Sequence, residues 1–158
     1  MIPAEILRSL PLFEGFSDHA MAGLQTLFQP VAFGVGDVIF SQGDHPDRLF
    51  ILWSGRVAIR FKPYDGEALT VAEIAPGGVF GWSAALDRVH YTSCAVAEEP
   101  VEALAITRRN LRQLYHSQPE VGAHLLERMA AVLAERLHDT RVQVYDMLVQ
   151  GMGARPVH

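Results

Sequence analysis

Apolar positions along the chain change their period twice. Between Pro3 and Leu10, Ile6, Leu7 and Leu10 recur at helical spacing, and Ser17-Asp18 then stands as a cap before Met21, Leu24 and Leu27, so two short helices are predicted at the start. From Pro30 to Thr107 the texture is different: short β-rich runs alternate with Gly, Pro and Asp at intervals of about ten residues, the signature of an all-β sandwich or barrel. Eight strands are predicted, over about Pro30–Phe33, Asp37–Ser41, Asp47–Trp53, Arg56–Lys62, Ala68–Ala75, Val79–Gly81, Thr92–Ala97 and Val101–Thr107. Pro63-Tyr64-Asp65-Gly66 is the clearest hairpin turn. In the fourth run Val57, Ile59 and Phe61 alternate with Arg56, Arg60 and Lys62, which predicts one buried and one wet face.

After Thr107 helical spacing returns. Arg108 to His116 forms one candidate, and Ser117-Gln118-Pro119-Glu120 opens another, with Ser117 as cap, Pro early in the helix and Glu three residues after the Ser. Neither Gly nor Pro interrupts Ala123 to Gln150, so this helix should run roughly 30 residues and roughly 45 Å. It outruns the domain and needs another surface. Leu126, Ala130, Leu133, Leu137, Thr140, Val144 and Met147 follow alternating steps of four and three, a seam suited to a second copy of the chain. Leu125, Met129 and Val132 form a neighbouring stripe that suits packing on the chain's own barrel. The expected organisation is a roll with its N-terminal helices over residues 1–118, a dimerisation helix over 119–150 and a tail over 151–158.

At 158 residues the chain is one domain in size. Six basic side chains face twelve acidic ones before Pro100, and seven face six after it, giving a net charge of −5. Nothing in this balance attracts nucleic acid, and no apolar run reaches the roughly 18 residues of a membrane span. The single Cys94 cannot form an internal disulfide, and the first residues lack the pattern of a signal peptide, so a reducing cytoplasm is expected. Only eight residues follow Gln150, too few for a DNA-reading helix pair, so no direct contact with nucleic acid is expected.

The segment with most chemical content is Pro76-Gly77-Gly78-Val79-Phe80-Gly81-Trp82-Ser83-Ala84-Ala85-Leu86. Glycines lead into a short helix-compatible stretch whose backbone N–H groups either converge on an anion or simply turn a tight corner in the roll. The other chemistries find less support. The seven histidines, His19, His45, His90, His116, His124, His138 and His158, are scattered with no His-x-His pair, and His45 sits in a turn. No nucleophile elbow or Gly-Lys-Ser phosphate loop is present, Cys94 falls in a strand, and Glu98-Glu99 precedes Pro100 as a solvated turn.

Several of these motifs occur together: Phe33-Gly34-Val35-Gly36-Asp37-Val38-Ile39-Phe40, Gln42-Gly43-Asp44, Leu49-Phe50-Ile51-Leu52 followed by Ser54-Gly55-Arg56-Val57, and Phe80-Gly81. With the two leading helices, they resemble the cyclic nucleotide-binding domains of catabolite-activator and kinase-regulatory proteins over nearly the whole chain. The resemblance implies a mainly β fold with flanking helices, a double-stranded β-helix or jelly roll, and a C-terminal dimer helix. It also implies a phosphate-binding cassette that opens at Gly81. In that family a Glu after the glycine holds the ribose and an Arg further on pairs with the phosphate. Here Trp82 stands at the Glu position and Tyr91 at the Arg position, while Thr92 keeps the small hydroxyl residue that often follows. Two such charge-assisted bonds are worth roughly 1.5–3 kcal/mol each, so their loss would weaken a cyclic nucleotide by about two to four decades.

Arg88 or His90 either brings a positive charge to the same place or stays in solvent. Trp82 either stacks on a flat ligand or plugs the pocket. On the long helix, Arg136 falls where the family reaches the base. The expected ligand site is therefore Phe80, Gly81, Trp82, Ser83, Ala84, Ala85, Arg88, His90, Tyr91, Thr92 and Arg136, with cyclic AMP, cyclic GMP or another small anion as candidate ligand and neither a metal nor a catalytic residue. The expected function is a homodimeric, ligand-sensing regulatory module read by a protein partner. The alternatives are a ligand-free dimerising interaction module and a cupin-like metal enzyme.

Overall fold

The computed structural model describes residues 3–63 and 66–135. Helix α1 (Ala4–Arg8), a 3-10 turn (Pro11–Phe13) and α2 (Asp18–Leu27) lead into eight strands: β1 (Gln29–Phe33), β2 (Val38–Phe40), β3 (Arg48–Ser54), β4 (Val57–Phe61), β5 (Leu69–Ile74), β6 (Val79–Phe80), β7 (Cys94–Ala97) and β8 (Val101–Thr107). A second 3-10 turn, Trp82–Ala84, follows β6, and α3 (Arg108–Ser117) follows β8. Helix α4 is described over 119–135.

The strands form two antiparallel four-stranded sheets, ordered β1-β8-β3-β6 and β2-β7-β4-β5. This is the expected β-roll, and each predicted strand lies within a residue or two of an observed one. Of the two caps the sequence predicts, the one at Ser17 forms, and Thr107 supplies a further cap that the sequence reading does not include. Ser17 Oγ accepts the Ala20 N–H at 3.1 Å at the start of α2, and Thr107 Oγ1 accepts the Asn110 N–H at 3.0 Å at the start of α3.

Two local expectations are corrected. Ser117 does not cap α4; it is the last residue of α3 and its hydroxyl donates to the Gln113 carbonyl at 2.8 Å, while Gln118 accepts the first α4 bond from the Gly122 N–H. Alternation along β4 also stops at Ile59. A register shift between Ile59 and Arg60 turns the strand's end outward, and Phe61 is exposed instead of buried.

Apolar side chains form two cores. One lies inside the roll and includes Phe40, Phe50, Leu52, Val57, Phe80, Tyr91 and Ala95. The other lies between the first sheet and the helices and includes Leu7, Phe13, Met21, Phe28, Leu49, Ile51, Leu104, Leu111, Leu125 and Met129. Helix α4 therefore does lie on its own domain, through the stripe of Leu125 and Met129 with Val132 beside them. Polar contacts hold it there. Arg128 donates to the Pro11 carbonyl at 2.7 Å and pairs with Glu14 at 3.3 Å, and the His124 ring meets the Phe16 ring at 4.3 Å. The seam residues Leu126 and Ala130 face outward and Leu133 is half-buried. Leu137, Thr140, Val144 and Met147 lie outside the described residues, as do Arg136 and the tail.

Candidate functional site

The cassette opens where β6 ends. Gly81 has φ +82, and a Cβ there would stand 2.9 Å from the Arg48 carbonyl oxygen and 3.3 Å from the Phe50 ring, so only glycine fits. The turn then closes on itself: Ala84 N–H donates to the Gly81 carbonyl, and the Ala85 and Leu86 N–H groups both donate to the Trp82 carbonyl. Further on, the Tyr91 N–H donates to the Asp44 carbonyl at 2.8 Å and its carbonyl accepts the Gly43 N–H at 2.9 Å, which pins the end of the cassette to the turn between β2 and β3.

A cavity of about 110 Å³ lies between this cassette and the roll, lined by Phe40, Ile59, Phe80, Gly81, Trp82, Ser83, Tyr91, Thr92 and Ser93. Its floor is aromatic. Tyr91 stacks on Phe40 with ring centroids 3.9 Å apart, and Phe50 stacks on Phe80 at 5.0 Å. The Tyr91 hydroxyl is occupied: it donates to the Arg48 carbonyl at 2.5 Å and accepts the Arg48 N–H at 3.1 Å. Burial pushes this phenol above its ordinary pKa, against a smaller lowering from the Arg48 backbone bond.

Trp82 turns away from the roll's interior. Its indole N–H donates to the Val79 carbonyl at 3.2 Å and it packs against the helical core. Besides touching the cassette cavity, it lines a larger groove of about 640 Å³ bounded by β5, residues 76–79, Pro11, Val132, Leu133 and Glu135. Of the expected site residues, Phe80, Gly81, Trp82, Ser83, Tyr91 and Thr92 surround the small cavity. Ala84 is buried and Ala85 packs on the helical core, while Arg88 and His90 are exposed and do not line the cavity.

Sequence reasoning missed Phe40, Ile59 and Ser93 as lining residues and missed a tie between cassette and helix. Asp87, a non-glycine residue at φ +57, accepts hydrogen bonds from Arg108, at 2.7 Å, and from Arg112. The Arg112 bond and then the Arg108 bond hold its carboxyl below the usual carboxylate range. Among the described residues no group of three or more His, Cys, Asp or Glu is placed to hold a metal, and no helix is long and apolar enough to cross a membrane.

A two-sheet roll with a glycine-opened turn at its mouth defines a class of ligand-cassette domains. This chain belongs to the cyclic nucleotide-binding domain family, in its CRP-like branch: the family's pattern matches residues 30–118. It is 32% identical over 151 residues to the CRP-like cAMP-activated global transcriptional regulator of Mycobacterium tuberculosis strain H37Rv, covering 96% of this chain and 66% of that protein. The crystal structure of the Thermus thermophilus catabolite activator protein is 33% identical with a TM-score of 0.68, over 88% of this chain and 63% of that one. The N-terminal domain of a transcriptional regulator from Streptomyces coelicolor A3(2) is 30% identical with a TM-score of 0.67, over 85% and 94%. The chain thus spans about two thirds of the length of the two full regulators.

Proposed function

We propose that this chain is a ligand-responsive regulatory domain in which a small molecule entering the cassette cavity shifts the packing of the cassette and, through it, of α4. The observation that carries this reading is the cavity itself, enclosed by the cassette on one side and the aromatic floor on the other. The cassette is tied by Asp87 to α3, which leads directly into α4. A ligand would favour one of two packings, and the shift is limited by its difference in affinity for them. The output is a change in the pairing of α4 with a second copy, read by a protein partner in the cytoplasm.

The mycobacterial relative is described as cAMP-activated, so cyclic AMP and cyclic GMP are the first compounds to try. The site argues for another guest. Tyr91, at the position where the family's arginine pairs with the phosphate, is committed to Arg48, and the cavity of about 110 Å³ is smaller than the roughly 300 Å³ at which ordinary ligand pockets begin.

A second reading, a ligand-free module that only pairs or docks, is favoured by one observation: the Tyr91 ring fills the roll against Phe40. A thermal-shift screen of cyclic nucleotides, small anions, neutral organic compounds and divalent metals, with native mass spectrometry of the protein as purified, separates the two. Binding raises the melting point by mass action. A response to compounds of one class, or a copurified small molecule, supports sensing; no response and no guest supports the pairing module.

A further inference from the structure

We infer that the cassette cavity selects a compact, uncharged molecule with an apolar body and one hydroxyl or carbonyl group, and that Ser83 is the residue that recognises that group. The inference rests on the reading of this cavity as a ligand site and names the chemistry of its guest. Ser83 is the one polar residue buried among the described residues, at 6% exposure. It lines the cavity, and its hydroxyl has no hydrogen-bond partner there, whereas Tyr91, the other buried hydroxyl in the lining, is satisfied on both sides by Arg48. The polar atoms sealed away without a partner among the described residues lie elsewhere, on Glu98, Arg108, Tyr115 and Arg128; Ser83 Oγ stays open to the cavity, where a hydrogen-bonding guest takes the place of water.

Charge and size narrow the guest further. No residue lining the cavity carries a charge: Arg88 and His90 lie in solvent, and the Arg48 guanidinium sits 5.0 Å over the Phe50 ring. An anion placed among Phe40, Ile59, Phe80 and Tyr91 would lose its water with no cation to receive it, which is strongly unfavourable. An apolar cavity of about 150 Å³ holds benzene. This one is about 110 Å³ and counts the exposed Thr92 in its lining, so the buried portion of the guest is about that of a single six-membered ring or a short branched chain. The aromatic floor suits such a body, and Ser83 fixes its polar end.

Three probes of nearly the same shape isolate the polar group: toluene lacks it, benzyl alcohol carries a neutral hydroxyl, and benzoate carries a charge. Each is titrated into the full chain, followed by amide NMR shifts at Ser83, Thr92 and Ser93, with cyclic AMP as a fourth probe. Benzyl alcohol is expected to bind on the order of tenfold more tightly than toluene or benzoate, the worth of one neutral hydrogen bond. In Ser83→Ala its advantage over toluene should vanish while toluene still binds. Tighter binding of benzoate or cyclic AMP at these amides, or an advantage that survives in Ser83→Ala, overturns the assignment and leaves ligand sensing standing. If none of the four moves these amides, the assignment fails, and an unresponsive thermal screen would take the sensing reading with it.

Discussion

The phenol ring of Tyr91 lies nearly parallel to Phe40, at 12°, and its hydroxyl spans the N–H and the carbonyl of Arg48. One side chain therefore joins the cassette to β2 through its ring and to β3 through its hydroxyl. Tyr91→Phe keeps the stack and strands two half-buried backbone groups, so it should cost about 1–3 kcal/mol in chemical denaturation. Tyr91→Ala also empties the core and should cost about 3–5 kcal/mol.

The same burial sets an alkaline signature. Folding raises the pKa of Tyr91, chiefly by desolvation, and does the same to Tyr115. The native state then holds these protons longer than the unfolded chain, so the stabilisation is complete below the ordinary phenol pKa of about 10 and is lost as pH climbs through the higher folded value. A spectrophotometric titration should show phenolate appearing late in the native protein and at ordinary pH in denaturant. Tyr91→Phe should remove part of the late phase; a titration with no late phase would contradict the burial of these two phenols.

Restoring the family's charged pair should restore the family's ligand. Trp82→Glu combined with Tyr91→Arg returns a carboxylate for the ribose and a guanidinium for the phosphate, and frees the space now filled by the phenol ring. By the arithmetic of two charge-assisted bonds, calorimetry should find cyclic AMP affinity raised by about two to four decades over the parent chain. An unchanged affinity in a folded double variant would mean that the rest of the cassette, and not these two positions, sets the ligand.

Glycines, alternation and caps made the roll readable, because each acts over a few residues. Gly81 and Ser17 show this: one permits a backbone that no other residue allows, the other caps the turn beside it. The misses depend on distance or direction. The bulge that exposes Phe61 is set by pairing with β5, not by its own strand. Asp87 meets Arg108 and Arg112 from 21 and 25 residues away, and no local pattern signals that. Trp82 could be placed in the cassette from the sequence, but whether its indole faced the roll or the helices depended on which core had room. Ser117 looked like a cap because its spacing to Glu120 was right; its hydroxyl bonds back to Gln113 instead.

Gly81 should resist any substitution. Gly81→Ala puts a methyl against the Arg48 carbonyl in a left-handed backbone, and the conformational term alone is about 1–2 kcal/mol before the clash is added. A drop in melting temperature with loss of amide protection at residues 80–85 is the expected result.

The tie at Asp87 should be visible in acid. Arg112 and Arg108 lower its pKa, so its contribution is present above the ordinary carboxylate pKa of about 3.9 and is lost as pH falls through the lower folded value. Asp87→Asn tolerates the left-handed backbone but removes the charge. Its stability should fall less steeply than the parent's over that acid range, and at neutral pH its cassette amides should exchange faster. Unchanged exchange would show that the cassette is held by the Tyr91 anchor alone.

Helix α4 presents one buried stripe and one exposed stripe. Met129 is 1% exposed in the helical core, whereas Leu126, one turn away on the neighbouring stripe, is 42% exposed. Met129→Ala should therefore cost about 2–5 kcal/mol in folding stability. Leu126→Glu places a charge where the proposed seam would meet its copy, so it should leave the fold intact and disrupt pairing. Sedimentation equilibrium and chemical denaturation of the full chain together test both. A dimeric parent, a dimeric but less stable Met129→Ala and a monomeric, fully folded Leu126→Glu together assign the outer stripe to the second copy. A parent that sediments as a monomer, or a Leu126→Glu variant that still pairs, removes the seam from the signalling route and leaves the ligand's effect to be read on this chain alone.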